Sequence, residues 1–303
     1  MSRARAPGKL VVSGSYSVLW GAPALVTAVG RYAHADATRE PVFISEEVAA
    51  AVELGFIPAP CFVDASALRC ADESAGPGRT RKLGLGSSAA IVVATLAAFR
   101  GVPTSDESRR TLFRDGLAAH RRAQGGGSGL DVAASAFGGT LLFRRGSGEA
   151  PDVTRCALPQ GVSVALYAAR TSAITASFVA KVRSFAASAP SEFDPRMDVA
   201  RRNAEAAAQA SEVAALVTAL DAQRSALAGI GELAGVPIVT TEVVELAELA
   251  AREHAHFGPS GAGGGDIAFW LGAAPPSVAF DTRAKDLGYE KLDDAPIAAL
   301  GAS

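Results

Sequence analysis

One segment of the sequence has the composition of a phosphate-binding loop. The segment is rich in glycine and serine and reads Gly84-Leu85-Gly86-Ser87-Ser88-Ala89-Ala90. It leads into an apolar run that predicts a helix from Ala89 to Phe99. Glycines let the backbone approach a phosphate, and the N–H groups and dipole of a helix N-terminus attract anions. A serine cap behind a tight turn would resemble it, but the paired serines and the alanine run favour phosphate binding. The chain has no GxxxxGK[ST] segment, which excludes the common P-loop.

Three further segments carry residues that could take part in the same chemistry. Lys9 follows Ala6-Pro7-Gly8 and enters a buried strand, where a lysine is costly unless it faces a partner, a cleft or the strand end. Asp131 follows the glycine-rich residues 125–129 at a helix start, as a functional carboxylate or a simple cap. The segment from Pro259 to Asp266 has so many glycines before a strand that a ligand or another backbone is expected close by.

Composition restricts the class of protein and its partners. The 303 residues are 49% hydrophobic and 20% charged, as in an ordinary globular protein, and the formal net charge is -2. This charge provides no basic field for nucleic acid or an anionic membrane. The longest apolar run falls short of the roughly 20 residues that span a bilayer, and the first residues lack a signal-peptide pattern. Three widely spaced cysteines predict neither a zinc site nor a disulfide framework, and we expect reduced thiols in the cytoplasm.

The elements positioning these segments mix strands and helices without regular βαβ alternation, which predicts an α+β fold. The predicted strands are residues 10–12, 24–26, 42–44, 61–63, 140–143, 162–168, 267–271 and 277–280. The predicted helices are residues 89–99, 105–123, 131–137, 173–187, 194–220, 222–234 and 241–253. Residues 71–82 are expected to form a loop. Glycine, proline and charge collect between Gly146 and Pro159, which predicts two domains, residues 1–155 and 156–303.

The order of the four segments resembles that of the GHMP kinases. APGK, GLGSSAA, GSGLD and PSGAGGGD follow one another between Ala6 and Leu271, so the resemblance covers nearly the whole chain. Within this family, the residues beside these segments are most similar to those of phosphomevalonate kinases. They are Lys82-Leu83, Ala119-His120, Ala123-Gln124, the strand from Gly138-Gly139 to Arg144-Arg145, and Thr171-Ser172-Ala173-Ile174-Thr175.

The resemblance implies a two-domain fold and an ATP-dependent reaction. The N-terminal domain would contain a left-handed βαβ crossover, the C-terminal domain would be ferredoxin-like, and ATP and acceptor would lie between them. Lys82 and the loop from Gly84 to Ala89 would bind ATP, with Ser88 as a ligand of Mg²⁺. Lys9 and Asp131 would flank the reacting phosphoryl group as catalytic residues. The residues implied for acceptor binding are Arg144, Ser172, Thr175, Lys181, Ser260, Gly261, Ala262 and Gly263.

Three positions depart from the family pattern. His120 stands where mevalonate-type members have a glutamate that binds magnesium, which argues against mevalonate kinase and leaves the second protein ligand of the metal open. Gly258 replaces a lysine that is usual before PSGAGGGD, so one phosphate-binding charge is expected to be missing. Ser15 replaces an acidic residue that is common in the family.

The activity implied by the resemblance is phosphorylation of (R)-5-phosphomevalonate to (R)-5-diphosphomevalonate in the mevalonate pathway of isoprenoid biosynthesis. A mevalonate-type or sugar kinase, a diphosphomevalonate decarboxylase, and a non-catalytic ATP-binding sensor stay open as alternatives. The expected partner is a small phosphorylated acceptor, with no nucleic acid and no membrane, for a monomer or homodimer.

Overall fold

A computed structural model of the chain describes residues 3–71, 80–146, 151–170, 175–293, 295–297 and 300–303, excluding the side chains of Thr175 and Ala176. The chain forms two compact units. The first comprises Met1–Leu10, Val26–Cys156 and Asp294–Ser303, and the second comprises Val11–Leu25 and Ala157–Asp293. The domain division predicted after residue 155 stays a prediction. In the structure, an early segment of the chain belongs to the second unit and its last residues belong to the first.

Among its described residues, the first unit is built on a five-stranded sheet with four helices. Its strands, including the ends of β1 and β2 that continue into the second unit, are β1 (Arg3–Ser13), β2 (Ala24–Asp36), β3 (Phe62–Asp64), β4 (Arg69–Ala71), β5 (Thr80–Lys82), β6 (Thr140–Arg144) and β7 (Asp152–Cys156). Its helices are α1 (Glu46–Glu53), α2 (Ser87–Arg100), α3 (Asp106–Gln124) and α4 (Leu130–Phe137). The main sheet has the order β1-β2-β6-β7, with β3 also paired to β2, whereas β4 and β5 form a separate antiparallel pair.

Helix α2 is the central helix of this unit. Its residues from Ser87 to Ala98 are all buried, and it packs against α1, α3 and α4. A helix that is apolar on every side is stable only when neighbours cover it on every side. Helix α3 instead has a polar face, and it begins with a capping box in which Ser105 and Ser108 satisfy each other's backbone N–H groups. The surrounding helices therefore fix the N-terminus of α2, where the predicted phosphate loop lies.

In the part that the structure describes, the second unit combines a four-stranded antiparallel sheet with five helices. Its strands are β8 (Ser163–Ala169), β9 (His256–Pro259), β10 (Ile267–Gly272) and β11 (Tyr289–Lys291), in the order β11-β8-β10-β9. Its helices are α5 (Thr175–Ser188), α6 (Pro190–Gln209), α7 (Val213–Leu233), α8 (Thr241–Arg252) and α9 (Val278–Asp286). The core contains a cluster of aromatic rings in edge-to-face contact, formed by Tyr167, Phe257, Trp270, Phe280 and Tyr289.

Helix α7 is long and apolar enough, by length and composition, to cross a membrane. Its residues Leu216, Leu220, Leu227 and Ile230 are buried, and the helix packs along α6. The apolar face of α7 is therefore accounted for by the core of the second unit.

The structure confirms the α+β class and most predicted elements, and it corrects four predictions. Residues 42–44 are not a strand, and Ser277 caps helix α9 instead of starting a strand. The break predicted near residue 221 lies between α6 and α7, at residues 210–212. The ends of the predicted loop 71–82 are strands, whereas residues 72–79 lie outside the described part. The left-handed crossover and the ferredoxin-like topology stay predictions.

Candidate functional site

The predicted phosphate loop forms the N-terminus of the buried helix α2. Gly84 and Gly86 both have a φ of 76°, in the left-handed region that side chains disfavour. Gly86 is the N-cap of the helix and has no side chain that could bond the first backbone N–H groups. These donors can then bind an anion, which the helix dipole also attracts. The local backbone is therefore suited to bind phosphate.

Lys9 lies against this loop through both its backbone and its side chain. Its backbone N–H donates to the carbonyl oxygen of Leu85 at 2.8 Å, and its Nζ donates to the carbonyl oxygen of Gly84 at 2.8 Å. Gly8, the preceding residue, has no room for a side chain, because a Cβ there would lie 2.8 Å from the same Leu85 oxygen. Strand β1 therefore places a half-buried ammonium group beside the loop.

Asp131 lies beside Gly86 together with Lys9. A Cβ on Gly86 would be 3.1 Å from the Cβ of Asp131 and 3.1 Å from the Cγ of Lys9. The Asp131 carboxylate is a quarter exposed, and its Oδ1 accepts a hydrogen bond from the backbone N–H of Val132 at 3.0 Å. The structure thus brings together the two predicted catalytic residues and the predicted phosphate loop.

His120, from α3, packs next to Asp131. Its Nε2 lies 3.5 Å from Asp131 Oδ2, and its side chain is only 5% exposed. Within the described part of the chain, neither ring nitrogen has a partner at hydrogen-bond geometry. A buried polar group without a partner carries a desolvation cost, so a bound group or a closer approach to Asp131 would stabilise this ring.

Ser88 is the centre of a second polar cluster at the start of α2. Its Oγ accepts a hydrogen bond from Nζ of Lys82 at 3.2 Å. Glu47, in the first turn of α1, lies on its other side and accepts a hydrogen bond from Nε2 of Gln124 at 2.9 Å. Burial raises the pKa of the Glu47 carboxyl, but hydrogen bonds from Gln124, from its own backbone and from the Ser88 and Ser45 hydroxyls together outweigh it. The pKa therefore lies below its ordinary value.

Sequence reasoning missed Glu47. The motif Ser45-Glu46-Glu47 does contain a helix-start pattern, because Ser45 is the N-cap of α1 and accepts from the N–H of Val48. Helix α1 is not among the predicted helices, although this pattern indicates its start. The position of the carboxylate beside Ser88 has no such local signal, because it depends on how α1 packs against α2 and α3.

A cavity of about 580 Å³ adjoins this cluster within the first unit. Its polar lining is formed by Lys82, Ser87, Ser88 and Glu47, together with Ser45, Asp64, Ser66 and Arg69. The rest of its lining includes apolar side chains on α2, β3 and the segment before α1, namely Ile91, Phe62, Val63, Val42 and Phe43. A cavity with a phosphate-binding end and an apolar wall suits a nucleotide, whose base is flat and largely apolar.

The residues at Ser88 fit a magnesium ion carried by nucleotide phosphates. Among the described residues, no group of three or more His, Cys, Asp or Glu side chains could hold a metal. Mg²⁺ instead usually keeps several waters and binds one or two protein oxygens together with phosphate oxygens. A serine hydroxyl and a buried carboxylate offer hard oxygen atoms of this kind.

The glycine-rich loop of the second unit is attached to the chain segment after residue 10. Ser260 is buried, and its Oγ accepts a hydrogen bond from the N–H of Val11 at 2.8 Å. Gly261 donates its N–H to Ser15 Oγ at 3.2 Å, and the hydroxyl of Tyr16 donates to the Ala262 carbonyl oxygen at 2.8 Å. A Cβ on Gly263 would lie 2.0 Å from the carbonyl oxygen of Ile238. Another backbone therefore does approach this loop, as the glycine density predicted.

Four other residues are predicted to bind the acceptor. Arg144 ends β6, opposite Asp152 of β7, and Lys181 is an exposed residue of α5. Thr175 begins α5, but its side chain lies outside the described part, as does the whole of Ser172. Their roles in acceptor binding stay predictions.

At Gly258, the space that a side chain would need is occupied by His256. A Cβ there would lie 2.6 Å from Nε2 of His256, so a lysine at position 258 would require this ring to move. The His256 ring is fixed by Asp221, whose Oδ1 lies 2.7 Å from Nδ1. The absence of a side chain at position 258 thus leaves room for the His256 ring.

Comparison with known proteins extends these observations. Residues 74–139 match the model described as GHMP kinases N terminal domain. The chain is 26% identical to a mevalonate kinase of Archaeoglobus fulgidus over 276 residues, covering 88% of this chain and 91% of the relative. It is 28% identical to a phosphomevalonate kinase of Streptomyces over 338 residues, covering 88% of each.

A solved structure has the same fold. The phosphomevalonate kinase of Streptococcus pneumoniae, in complex with phosphomevalonate and AMPPNP, superposes with a TM-score of 0.76 at 18% sequence identity. The alignment covers 98% of this chain and 100% of that one.

Proposed function

We propose that this chain, which belongs to the GHMP kinase family, transfers the γ-phosphoryl group of ATP to (R)-5-phosphomevalonate. The observation that carries the phosphotransferase part is the convergence of Lys9 and Asp131 on the phosphate loop at Gly86. The acceptor is supported by the Streptomyces relative and by His120 in place of the magnesium-binding glutamate. We place the enzyme in the cytoplasm as a monomer or homodimer.

The loop and Lys9 would act on the charge of the transferring group. A phosphate oxygen of the acceptor attacks the γ-phosphorus, the bond to the bridging oxygen of ATP breaks, and ADP leaves with the electron pair. Such transfer depends mainly on positioning and charge neutralisation. The backbone N–H groups at the start of α2 would hold the nucleotide phosphates, and the Lys9 ammonium would offset charge on the γ-phosphoryl group. Magnesium bound at Ser88 would neutralise phosphate charge.

The role of Asp131 depends on the acceptor. A phosphate monoester has a second pKa of about 6, so its oxygen is already largely anionic near neutral pH and needs no general base. For this acceptor, Asp131 would orient Lys9 or the acceptor. A hydroxyl acceptor benefits from a base, and Asp131 would then accept its proton.

Mevalonate is the second candidate acceptor. The Archaeoglobus relative, which matches this chain along 91% of its own length, is named a mevalonate kinase. In that case Asp131 would act as the general base, with the buried His120 ring beside it.

A coupled assay of ADP release decides between these candidates. The purified enzyme is given ATP and magnesium with phosphomevalonate, mevalonate, homoserine or galactose, each over a range of concentrations. We expect kcat/KM to be highest for phosphomevalonate. Turnover with only a non-phosphorylated alcohol would contradict the proposed acceptor, and ATP binding without turnover on any acceptor would favour a non-catalytic sensor.

A further inference from the structure

Glu47 is a buried carboxylate at the edge of the phosphate site. It is 6% exposed, whereas its neighbour Glu46 points to solvent. It lines the 580 Å³ cavity together with Ser88 and Lys82. Gln124, on α3, donates to its Oε1 at 2.9 Å, and the Ser88 hydroxyl is a second hydrogen-bond partner of the carboxylate.

This position is unfavourable for a nucleotide unless a cation accompanies it. The N-terminus of α2 attracts phosphate, but a carboxylate held beside Ser88 repels it. Two positive charges also line the cavity. Lys82, which contacts Ser88, is exposed and its charge is screened by solvent, and the Arg69 guanidinium is hydrogen-bonded to Thr80. A divalent ion between the carboxylate and the phosphates would turn the repulsion into attraction.

The chemistry of the available atoms selects the ion and its ligands. Magnesium prefers oxygen ligands and is often held by one or two carboxylates together with nucleotide phosphates. His120 offers only imidazole nitrogens, which suit zinc, copper, iron and nickel better than magnesium. Of the carboxylates that line the cavity, Asp64 is exposed, whereas Glu47 is buried and already fixed by hydrogen bonds.

We propose that Glu47 is a direct protein ligand of the nucleotide-bound magnesium ion, next to the hydroxyl of Ser88. The inference rests on the proposed function, because nucleotide phosphates complete the coordination. Gln124 is then a positioning residue that holds the carboxylate toward Ser88.

The test measures metal binding, using Mn²⁺ as a paramagnetic probe and AMPPNP as a nucleotide that does not react. Electron paramagnetic resonance gives the Kd of Mn²⁺ for the complex of enzyme and AMPPNP. Glu47→Gln is expected to weaken Mn²⁺ binding by about tenfold or more, as loss of a ligand or its support does in other metal sites. The matched control Glu46→Gln removes an exposed carboxylate from the same turn and should leave the Kd unchanged.

A second measurement separates a metal ligand from a structural residue. Without metal, Glu47→Gln should bind AMPPNP more tightly than the wild type, because the repulsion is gone. Weaker metal-free binding would indicate a merely structural role and overturn the proposal, as would an unchanged Kd for Mn²⁺.

A measurement on the wild type does not depend on how the variant folds. With glutamate labelled by ¹³C at the side-chain carboxyl, bound Mn²⁺ should show the hyperfine coupling of a directly coordinated carboxylate, and its absence overturns the proposal. Mn²⁺ and AMPPNP binding with this coupling but no acceptor turnover would support Glu47 while the proposed function fails. Failure of the wild type to bind Mn²⁺ with AMPPNP would overturn both.

Discussion

The Nζ of Lys9 and the carbonyl oxygen of Gly84 are joined by a hydrogen bond of 2.8 Å. A second bond, from the Lys9 N–H to the Leu85 carbonyl oxygen, runs along the backbone beside it. A flexible lysine side chain loses rotamer freedom when it is held in this way. The ammonium group is thus already placed at the loop before any ligand binds, which reduces the cost of ordering it during catalysis.

Replacing Lys9 should therefore affect turnover more than binding. We expect Lys9→Ala to lower kcat by about 10²- to 10³-fold, the range for loss of one preorganised donor to developing charge. The exposed Lys285→Ala serves as the control for loss of a positive charge elsewhere and should retain full kcat. Steady-state kinetics with saturating ATP measure both. A Lys9→Ala enzyme with unchanged kcat would remove Lys9 from the chemical step.

Asp131→Asn tests whether the carboxylate acts on the acceptor. With phosphomevalonate, we expect kcat to fall by only about tenfold, because the acceptor is already anionic. A general base would instead contribute about 10²- to 10⁴-fold. The measurement is kcat and KM at neutral pH beside the Lys9→Ala enzyme. A loss confined to KM, with kcat intact, would exclude Asp131 from the chemical step.

Gly86→Ala should cost stability and nucleotide binding together. The left-handed backbone penalises alanine by about 1–2 kcal/mol, and the new Cβ would also press on Lys9 and Asp131. Gly55→Ala is a matched control, because Gly55 has a similar φ of 71° but open space around it. Denaturant unfolding should show a loss for both variants, larger for Gly86. Titration with AMPPNP should show weaker binding only for Gly86→Ala, and equal affinity in the two would contradict this role.

Ser260→Ala tests the attachment of the second glycine-rich loop. The substitution leaves the buried N–H of Val11 without its acceptor, a loss of about 1–3 kcal/mol in the free energy of unfolding. The exposed Ser211→Ala should change that free energy by no more than about 0.5 kcal/mol. Urea unfolding at pH 7.5 measures both. Equal stability of the two variants would show that the Ser260 hydroxyl does not support Val11.

His256 should make stability depend on pH. Burial lowers the pKa of His256, although its contact with Asp221 opposes this, and Arg224 lowers it further. The unfolded chain, with an ordinary histidine pKa near 6.5, then binds a proton that the folded chain does not. The contribution of His256 to the free energy of unfolding is therefore fully present above about pH 6.5. It is lost as the pH falls, by at most about 1.4 kcal/mol per pH unit.

The substitution His256→Gln removes this titration. We expect its unfolding free energy to change less between pH 7.5 and 5.5 than that of the wild type, measured by urea unfolding. His34→Gln, which replaces an exposed histidine, should keep the slope of the wild type. A slope for His256→Gln equal to that of the wild type would contradict the buried neutral state.

The sequence predicts the elements that have local determinants. Helix α2 was predicted because its residues are almost continuously apolar, and α3 because Ser105 and its acidic first turn mark a helix start. Helix α9 also begins with an N-cap, because Ser277 accepts a hydrogen bond from the N–H of Phe280. The apolar residues within 277–280 nevertheless predict a strand. The Ser277 cap therefore favours a helix over a strand at this position.

The other features of the fold and of the site depend on contacts between residues that are distant in the sequence. The residues between α6 and α7 contain neither glycine nor proline, and alanine favours helix throughout, so no local property places the break at residues 210–212. The motifs predicted the phosphate loop, Lys9 and Asp131, and the structure brings them together. It adds Glu47, which lies 77 residues before its partner Gln124 and has no motif of its own.

The segment before α1 has a consequence for how this enzyme can diverge. Val42 and Phe43 line the cavity, yet residues 42–44 belong to neither a helix nor a strand and their side chains are largely exposed. Substitutions there can change the shape of the cavity without breaking a sheet or emptying a core. Selection for a different nucleobase could therefore act on these positions while Lys9, Ser88 and Asp131 stay as they are. If this cavity holds the nucleobase, as the proposed function requires, nucleotide preference and catalytic chemistry would be separately mutable in this chain.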